Sequence, residues 1–313
     1  MTGILLDEQA ERDFARDGYV VVRLISEEAA ASLLDGLTPL RNASPGEGEP
    51  FAFYVSFTDS DRDRRRRIYH YLRDALSPRI DAILDGYQVL TATLLDKPAG
   101  EGDMDLHRDW WMSADIEDRN LIVWCPLVDT DDSNGTIRLV TGSHRLVHDL
   151  SAPHAGVYYS GYQEALKRRA RSFPLRAGEA LIFDATILHW SPANGSGRAR
   201  PAANLYCLPK EAVPVFYKAQ SSSDGPLFEL FDMSEEAYYD HDMADFLAGT
   251  IRRKSLGLVP NRNRPLSRDE CERRLDAAEA RRGETAKGAA DTGWRKRIGS
   301  LLGRPGSART RLG

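Results

Sequence analysis

The sequence predicts a mainly β protein, a sandwich or barrel of short strands with helices packed outside it. Helix-like patterns come first and end near residue 86. Short apolar segments of strand type dominate from Tyr87 onward, and Gly, Asn and Asp turns separate them. No internal repeat is visible.

Taken in order, residues 7–17 start like a helix and Gly18 stops it. The run YVVVRL reads as a strand, and SEEAAASLLDGL as a helix with Ser26 as N-cap and Glu28 in its first turn. Residues 42–50, rich in Gly, Pro and Ser, read as a loop. The charge-dense run from Asp59 to Arg67 reads as a solvated face, and residues 68–86 as a helix broken or started at Pro78. YQVLTATLLD, LIVWCPLVD, TIRLV, EALIFDATILHW and AANLYCLP then read as strands. Beyond about residue 215 the pattern weakens. Residues 234–255 and 267–282 look helical, and the Gly- and Ala-rich end is expected to be loosely ordered.

Composition excludes several classes. A chain of 313 residues with 42% hydrophobic and 28% charged residues fits a soluble globular protein. The longest apolar runs fall far short of the roughly 18 residues a transmembrane helix needs. The N-terminus turns acidic after three apolar residues, unlike a signal peptide, so a cytoplasmic location is expected. Cys125, Cys207 and Cys271 form no CxxC pair, which argues against a disulfide framework and a cysteine zinc site. The net charge is −5, yet residues 250–313 carry 17 basic and 7 acidic residues. Such a tail marks either a partner-binding segment or one that folds back onto its own acidic body. That acidic body argues against nucleic acid as a partner.

The chemistry begins at Leu106-His107-Arg108-Asp109. Alternate residues of an extended strand point the same way, so His107 and Asp109 can present an imidazole and a carboxylate to one point. An iron(II) oxygenase needs a third ligand on that face. His144, just after a Gly-Ser turn, and His189, at the end of an apolar strand, compete for the place. The strand end suits a barrel interior better, although a core histidine is the plainer reading of His189 taken alone.

The run from His189 through Ser191, Asn194 and Ser196 to Arg200 resembles the phytanoyl-CoA dioxygenase family of iron(II)/2-oxoglutarate oxygenases. The earlier motifs come in that family's order: His107-x-Asp109, Asn134-Gly135 leading to Gly142-Ser143-His144, and Gly178-Glu179. The resemblance covers roughly residues 10–210. It implies a double-stranded β-helix (a cupin-like jelly roll) as the core. Residues 1–250 are expected to be the catalytic domain, and 251–313, a basic segment that the resemblance does not reach, a partly helical C-terminal extension.

Residue by residue, the resemblance assigns His107, Asp109 and His189 to iron and Arg200 to the distal carboxylate of 2-oxoglutarate, with Arg198 as the alternative. A guanidinium suits a carboxylate because it can donate two parallel hydrogen bonds. His144 becomes a structural residue. Lys97 matches a family position near the cosubstrate, the other reading being an exposed lysine. Trp124 is core or cosubstrate wall, and Ser191 and Asn194 shape the turn after the ligand strand. Trp111, on the face of Asp109, lines the substrate pocket or packs. Tyr158 and Tyr159 lie in a long segment of the kind that folds over active sites, and Arg145 and His148 are further substrate candidates there.

The implied reaction consumes 2-oxoglutarate and O₂, releases succinate and CO₂, and hydroxylates an unactivated C–H bond of a small metabolite or peptide intermediate, in specialised metabolism. The alternatives are desaturation or cyclisation at the same iron site, and a jelly roll that only binds a ligand. The sequence does not assign an oligomeric state.

Overall fold

The computed structural model describes residues 3–41, 51–147, 149–153, 155–222, 225–234, 237, 239 and 253–288. The 42–50 loop, His148, most of the helical expectation for 234–255 and the chain end lie outside them.

Helix α1 (Glu8–Asp17) starts where the Asp7 carboxylate accepts the Ala10 N–H at 2.8 Å, and ends at Gly18, whose φ of 75° a side chain would disfavour. Strand β1 (Tyr19–Arg23) follows, then α2 (Glu27–Leu37), capped by Ser26. Strand β2 (Tyr54–Val55) precedes α3 (Arg62–Asp81), which starts earlier than residue 68 and runs through Pro78 without a break.

The charge-dense run is therefore not simply a solvated face. Asp59 is buried, accepting from the Tyr54 hydroxyl at 2.6 Å and from Arg64, and Arg65 is only 1% exposed. The cause is helical period. Arg65, Ile68, Tyr69, Leu72 and Leu76 form one stripe of α3, and that stripe faces the protein.

Strands β3 (Tyr87–Lys97) to β10 make the jelly roll. They are β4 (Met104–His107), β5 (Leu121–Pro126), β6 (Arg138–Leu139), β7 (Arg171–Ser172), β8 (Glu179–Asp184), β9 (His189–Ser191) and β10 (Arg200–Pro209), with α4 (Gln163–Arg169) between β6 and β7. They divide between two antiparallel sheets, ordered β1-β8-β5-β10-β3-β2 and β4-β9-β6-β7. The chain crosses between the sheets repeatedly, as a double-stranded β-helix does.

Side-chain alternation in the larger sheet feeds two cores. Leu121, Val123 and Cys125 of β5 pack with the helices, while Ile122 and Trp124 pack between the sheets. Both faces are apolar because both are covered, and that makes these strands legible as continuous apolar runs.

A third sheet, β11 (Val215–Ser222), β12 (Gly225–Asp232) and β13 (Ser255–Pro260), follows where no strand was expected. Its strands mix apolar and polar residues because one face packs on the body, through Val215, Tyr217, Phe228 and Leu230. Helix α5 (Arg268–Gly288) then lies on the jelly roll, burying Cys271 and Leu275. Arg169 pairs with Asp276, and Arg282 pairs with Asp17 and donates to the Tyr19 hydroxyl at 2.6 Å. The basic segment beyond residue 250 thus contributes a paired strand and a docked helix to the folded body. No described helix is long and apolar enough to cross a membrane.

Candidate metal and cosubstrate site

Strand β4 ends at His107, so Asp109 lies beyond the strand, and the expected strand alternation does not extend to it. The run EALIFDATILHW is likewise two strands. β8 ends at Asp184, whose carboxylate accepts the Thr186 N–H at 2.9 Å and turns the chain, and His189 opens β9 in the other sheet. There His107 and His189 are direct cross-strand partners with ring centroids 4.1 Å apart. The turn after His107 brings Asp109 Oδ2 to 3.5 Å from His189 Nε2. One ligand atom from each of the three residues lies within 4.8 Å of the others, the one such group of three or more among the described residues.

Local hydrogen bonds orient both imidazoles. His107 Nδ1 lies 2.7 Å from the Asp105 carbonyl and His189 Nδ1 lies 2.9 Å from the Ile187 carbonyl. A carbonyl only accepts, so each Nδ1 carries the proton and each Nε2 keeps its lone pair. Burial holds the His189 imidazole well below its usual pKa, with His107 adding to the effect, and pushes the Asp109 carboxyl up to about 6. Asp109 Oδ2 is buried without a hydrogen-bond partner. Two neutral imidazoles and a carboxylate with an unused oxygen suit a divalent cation of intermediate softness.

Arg200 opens β10 beside Lys97, its cross-strand partner on β3. It is 2% exposed, its Nε and Nη1 have no partner, and its guanidinium lies 5.4 Å over the Trp124 ring. Trp124 is thus both core and wall to Arg200. Burial draws the guanidinium down to about 10, so it stays charged at neutral pH. A buried cation with free donors is costly unless an anion joins it, and a carboxylate fits that need. Arg198 is exposed.

Lys97 is fully buried, contrary to the exposed reading. It donates to Ser191 Oγ at 2.8 Å and to the Pro192 carbonyl at 2.7 Å, and so ties the end of β9 to β3. Asn194 holds the turn to Arg200, its amide donating to the Arg198 carbonyl at 2.7 Å and its oxygen accepting from Ser196.

The remaining candidates lie elsewhere. His144 sits against Gly18, outside the triad, and Ser143 of the same motif accepts the Leu188 N–H at 2.8 Å, one residue before the ligand histidine. Trp111 packs in the third sheet's cluster because the chain past His107 is no longer a strand, so strand alternation does not place it. Arg145 is exposed and donates to the Ala15 carbonyl, in the corner between α1 and α5. Tyr158 and Tyr159 are buried in the cluster that also holds Cys271 and Leu275 of α5, so they form packing and not an exposed lid.

Two features escaped the sequence reading. Arg108, between two of the triad, is buried against Asp149, and Asn120 is fully buried with neither amide atom bonded. The signal for the first was an Arg inside the ligand motif. Nothing in the sequence marks the second.

The profile of the family described as Phytanoyl-CoA dioxygenase (PhyH) matches residues 14–202. No curated protein matches the chain. Among solved structures, the non-haem alpha ketoglutarate dependent carbocyclase SnoK from nogalamycin biosynthesis is 18% identical, covering 67% of this chain and 86% of its own, with a TM-score of 0.48. The epimerase SnoN from the same biosynthesis is 20% identical, covering 67% and 84%, with a TM-score of 0.46. HygX from Streptomyces hygroscopicus, with nickel and 2-oxoglutarate bound, is 14% identical, covering 66% and 88%, with a TM-score of 0.46.

Proposed function

We propose, from the premise that this chain belongs to the phytanoyl-CoA dioxygenase family and is a non-haem iron, 2-oxoglutarate-dependent oxygenase, that it hydroxylates a C–H bond of a small metabolite or peptide intermediate in specialised metabolism. The observation that carries the reading is a convergent His107/Asp109/His189 triad in a body that also buries Arg200 with two of its donors unpartnered.

In this reading His107 and His189 bind iron through Nε2, and the carbonyls of Asp105 and Ile187 keep each ring in the tautomer that leaves Nε2 free. Asp109 supplies the third ligand and one negative charge. Arg200 grips the distal carboxylate of 2-oxoglutarate, with Trp124 packed against its guanidinium and Lys97 holding the neighbouring turn. Iron(II) with 2-oxoglutarate and O₂ supplies the oxidising chemistry, which releases succinate and CO₂. The protein's part is to hold the cosubstrate in one orientation.

The test is iron titration with measurement of succinate release. His189→Ala abolishes iron binding and His144→Ala leaves it intact. Iron loss in the His144 variant alone would move the third ligand there. A product lighter by two hydrogens would keep the iron site and change the reaction to desaturation or cyclisation.

A further inference from the structure

Asp109 has no sheet to hold it. β4 ends two residues earlier, yet a ligand must be held to within a fraction of an ångström to be useful. What fixes this stretch is a strap without regular secondary structure, residues 149–151. The Arg108 side chain donates to Asp149 at 2.5 Å, and the two side chains are 2% and 6% exposed. Ser151 Oγ donates to the Arg108 carbonyl at 3.4 Å, and its own carbonyl accepts the Trp111 N–H at 2.8 Å. Residues on both sides of Asp109 are therefore tied to one strap.

The strap is in turn held from the C-terminal segment. Asn263 Oδ1 accepts the Leu150 N–H at 3.0 Å and Asn263 Nδ2 donates to the Leu150 carbonyl at 2.7 Å, so one side-chain amide pairs with Leu150 as a neighbouring strand would. Just beyond, the Leu266 N–H donates to the Tyr158 carbonyl at 3.0 Å, and α5 begins. Cys271 and Leu275 of that helix share a buried cluster with Leu106 and Leu188, the residues immediately before the two ligand histidines. All of these C-terminal residues lie past residue 202, where the family match ends.

We propose that Asn263 is a positioning residue for the metal site, acting through the Leu150 strap and the buried Arg108–Asp149 pair to hold Asp109 in place. The C-terminal segment is then part of the machinery of this enzyme. The inference rests on the triad's being the iron site. Replacing a buried Arg–Asp pair of this kind by apolar groups is often neutral for stability, and in this proposal the part the Arg108–Asp149 pair plays is to fix geometry.

The experiment uses the full chain and iron(II) as the probe. Iron affinity is measured by chelator competition. The visible absorption of the anaerobic iron(II)–2-oxoglutarate complex reports the ligand set, and thermal melting reports the fold. Outer partners of metal ligands are commonly worth about 10- to 100-fold in metal affinity. Asn263 and Asp149 act one step further out, through Arg108 and the strap, so Asn263→Ala and Asp149→Asn should each weaken iron binding by up to about tenfold and alter the visible band, and the double variant should lose less than the product of the two. Arg169→Ala, which removes the ion pairs to Asp276 and Glu279 and loosens α5 elsewhere, should melt lower yet bind iron as the parent does.

Parent-like iron affinity in Asn263→Ala, or equal weakening in Arg169→Ala, would overturn the proposal. If Asn263→Ala does not fold, Asp149→Asn decides by the same two readouts. A parent protein that binds no iron would sink the metal assignment itself, a result distinct from any of these.

Discussion

Replacing Arg200 by Met isolates the cosubstrate contact, because it keeps most of the side chain's volume and removes its charge. Arg200 is nearly fully buried and two of its donors are unpartnered. In the cosubstrate-free protein the substitution removes a buried charge that lacks its counterion, so the melting temperature should hold or rise. In the bound state it strips a carboxylate of its charge-assisted hydrogen bonds and leaves that carboxylate buried. Truncating one partner of such a pair costs about 2–5 kcal/mol, which at about 1.4 kcal/mol per tenfold is roughly a 30- to 4,000-fold higher 2-oxoglutarate requirement. Succinate release against 2-oxoglutarate concentration measures the loss, and iron titration should show the metal still bound. Arg198→Met, at an exposed position, should change neither. An unchanged requirement in Arg200→Met together with a large effect at Arg198 would refute the reasoning and move the anion contact.

Three further outcomes follow from the same geometry. With Asp109 as the third iron ligand in the proposed site, no coordination position is left for chloride, so turnover in ¹⁸O₂ and high chloride should give a product carrying ¹⁸O and no chlorine by mass spectrometry. Burial, then the neighbouring Arg200, lowers the Lys97 ammonium to about 6. Between about pH 7 and 8, above the histidines and below the unfolded thiols of the three buried cysteines, the unfolded chain then holds a proton that the folded one does not, so stability rises with pH, by at most about 1.4 kcal/mol per unit, in urea unfolding, and Lys97→Met removes that slope. Ending the chain after Gly288 should leave iron binding intact, because α5 keeps its Cys271, Leu275 and Arg282 contacts, whereas Leu275→Ala should cost about 2–5 kcal/mol by denaturant unfolding.

Much of the fold was legible in local sequence. Caps such as Asp7 and Ser26, the stop at Gly18 and the doubly buried runs of β5 and β10 announce themselves, because capping and burial on both faces leave a signature within a few residues. His107, Asp109, His189 and Arg200 were singled out as a set by the order of four motifs that resemble a known family, and not by any local pattern.

Tertiary structure decided what depends on distant partners. His189 opens a strand in the smaller sheet because the Asp184 turn carries the apolar run across, and period alone cannot show where a continuous run changes sheets. Lys97 and Arg65 are buried because a sheet and a helix face cover them, although both look like surface residues in sequence. The third sheet, the docking of α5 and the Asn263–Leu150 pairing join residues far apart in the chain, where no local pattern registers the contact. A hydrogen bond or buried pair across such a distance is a property of the folded body, and the chain reveals only its two halves.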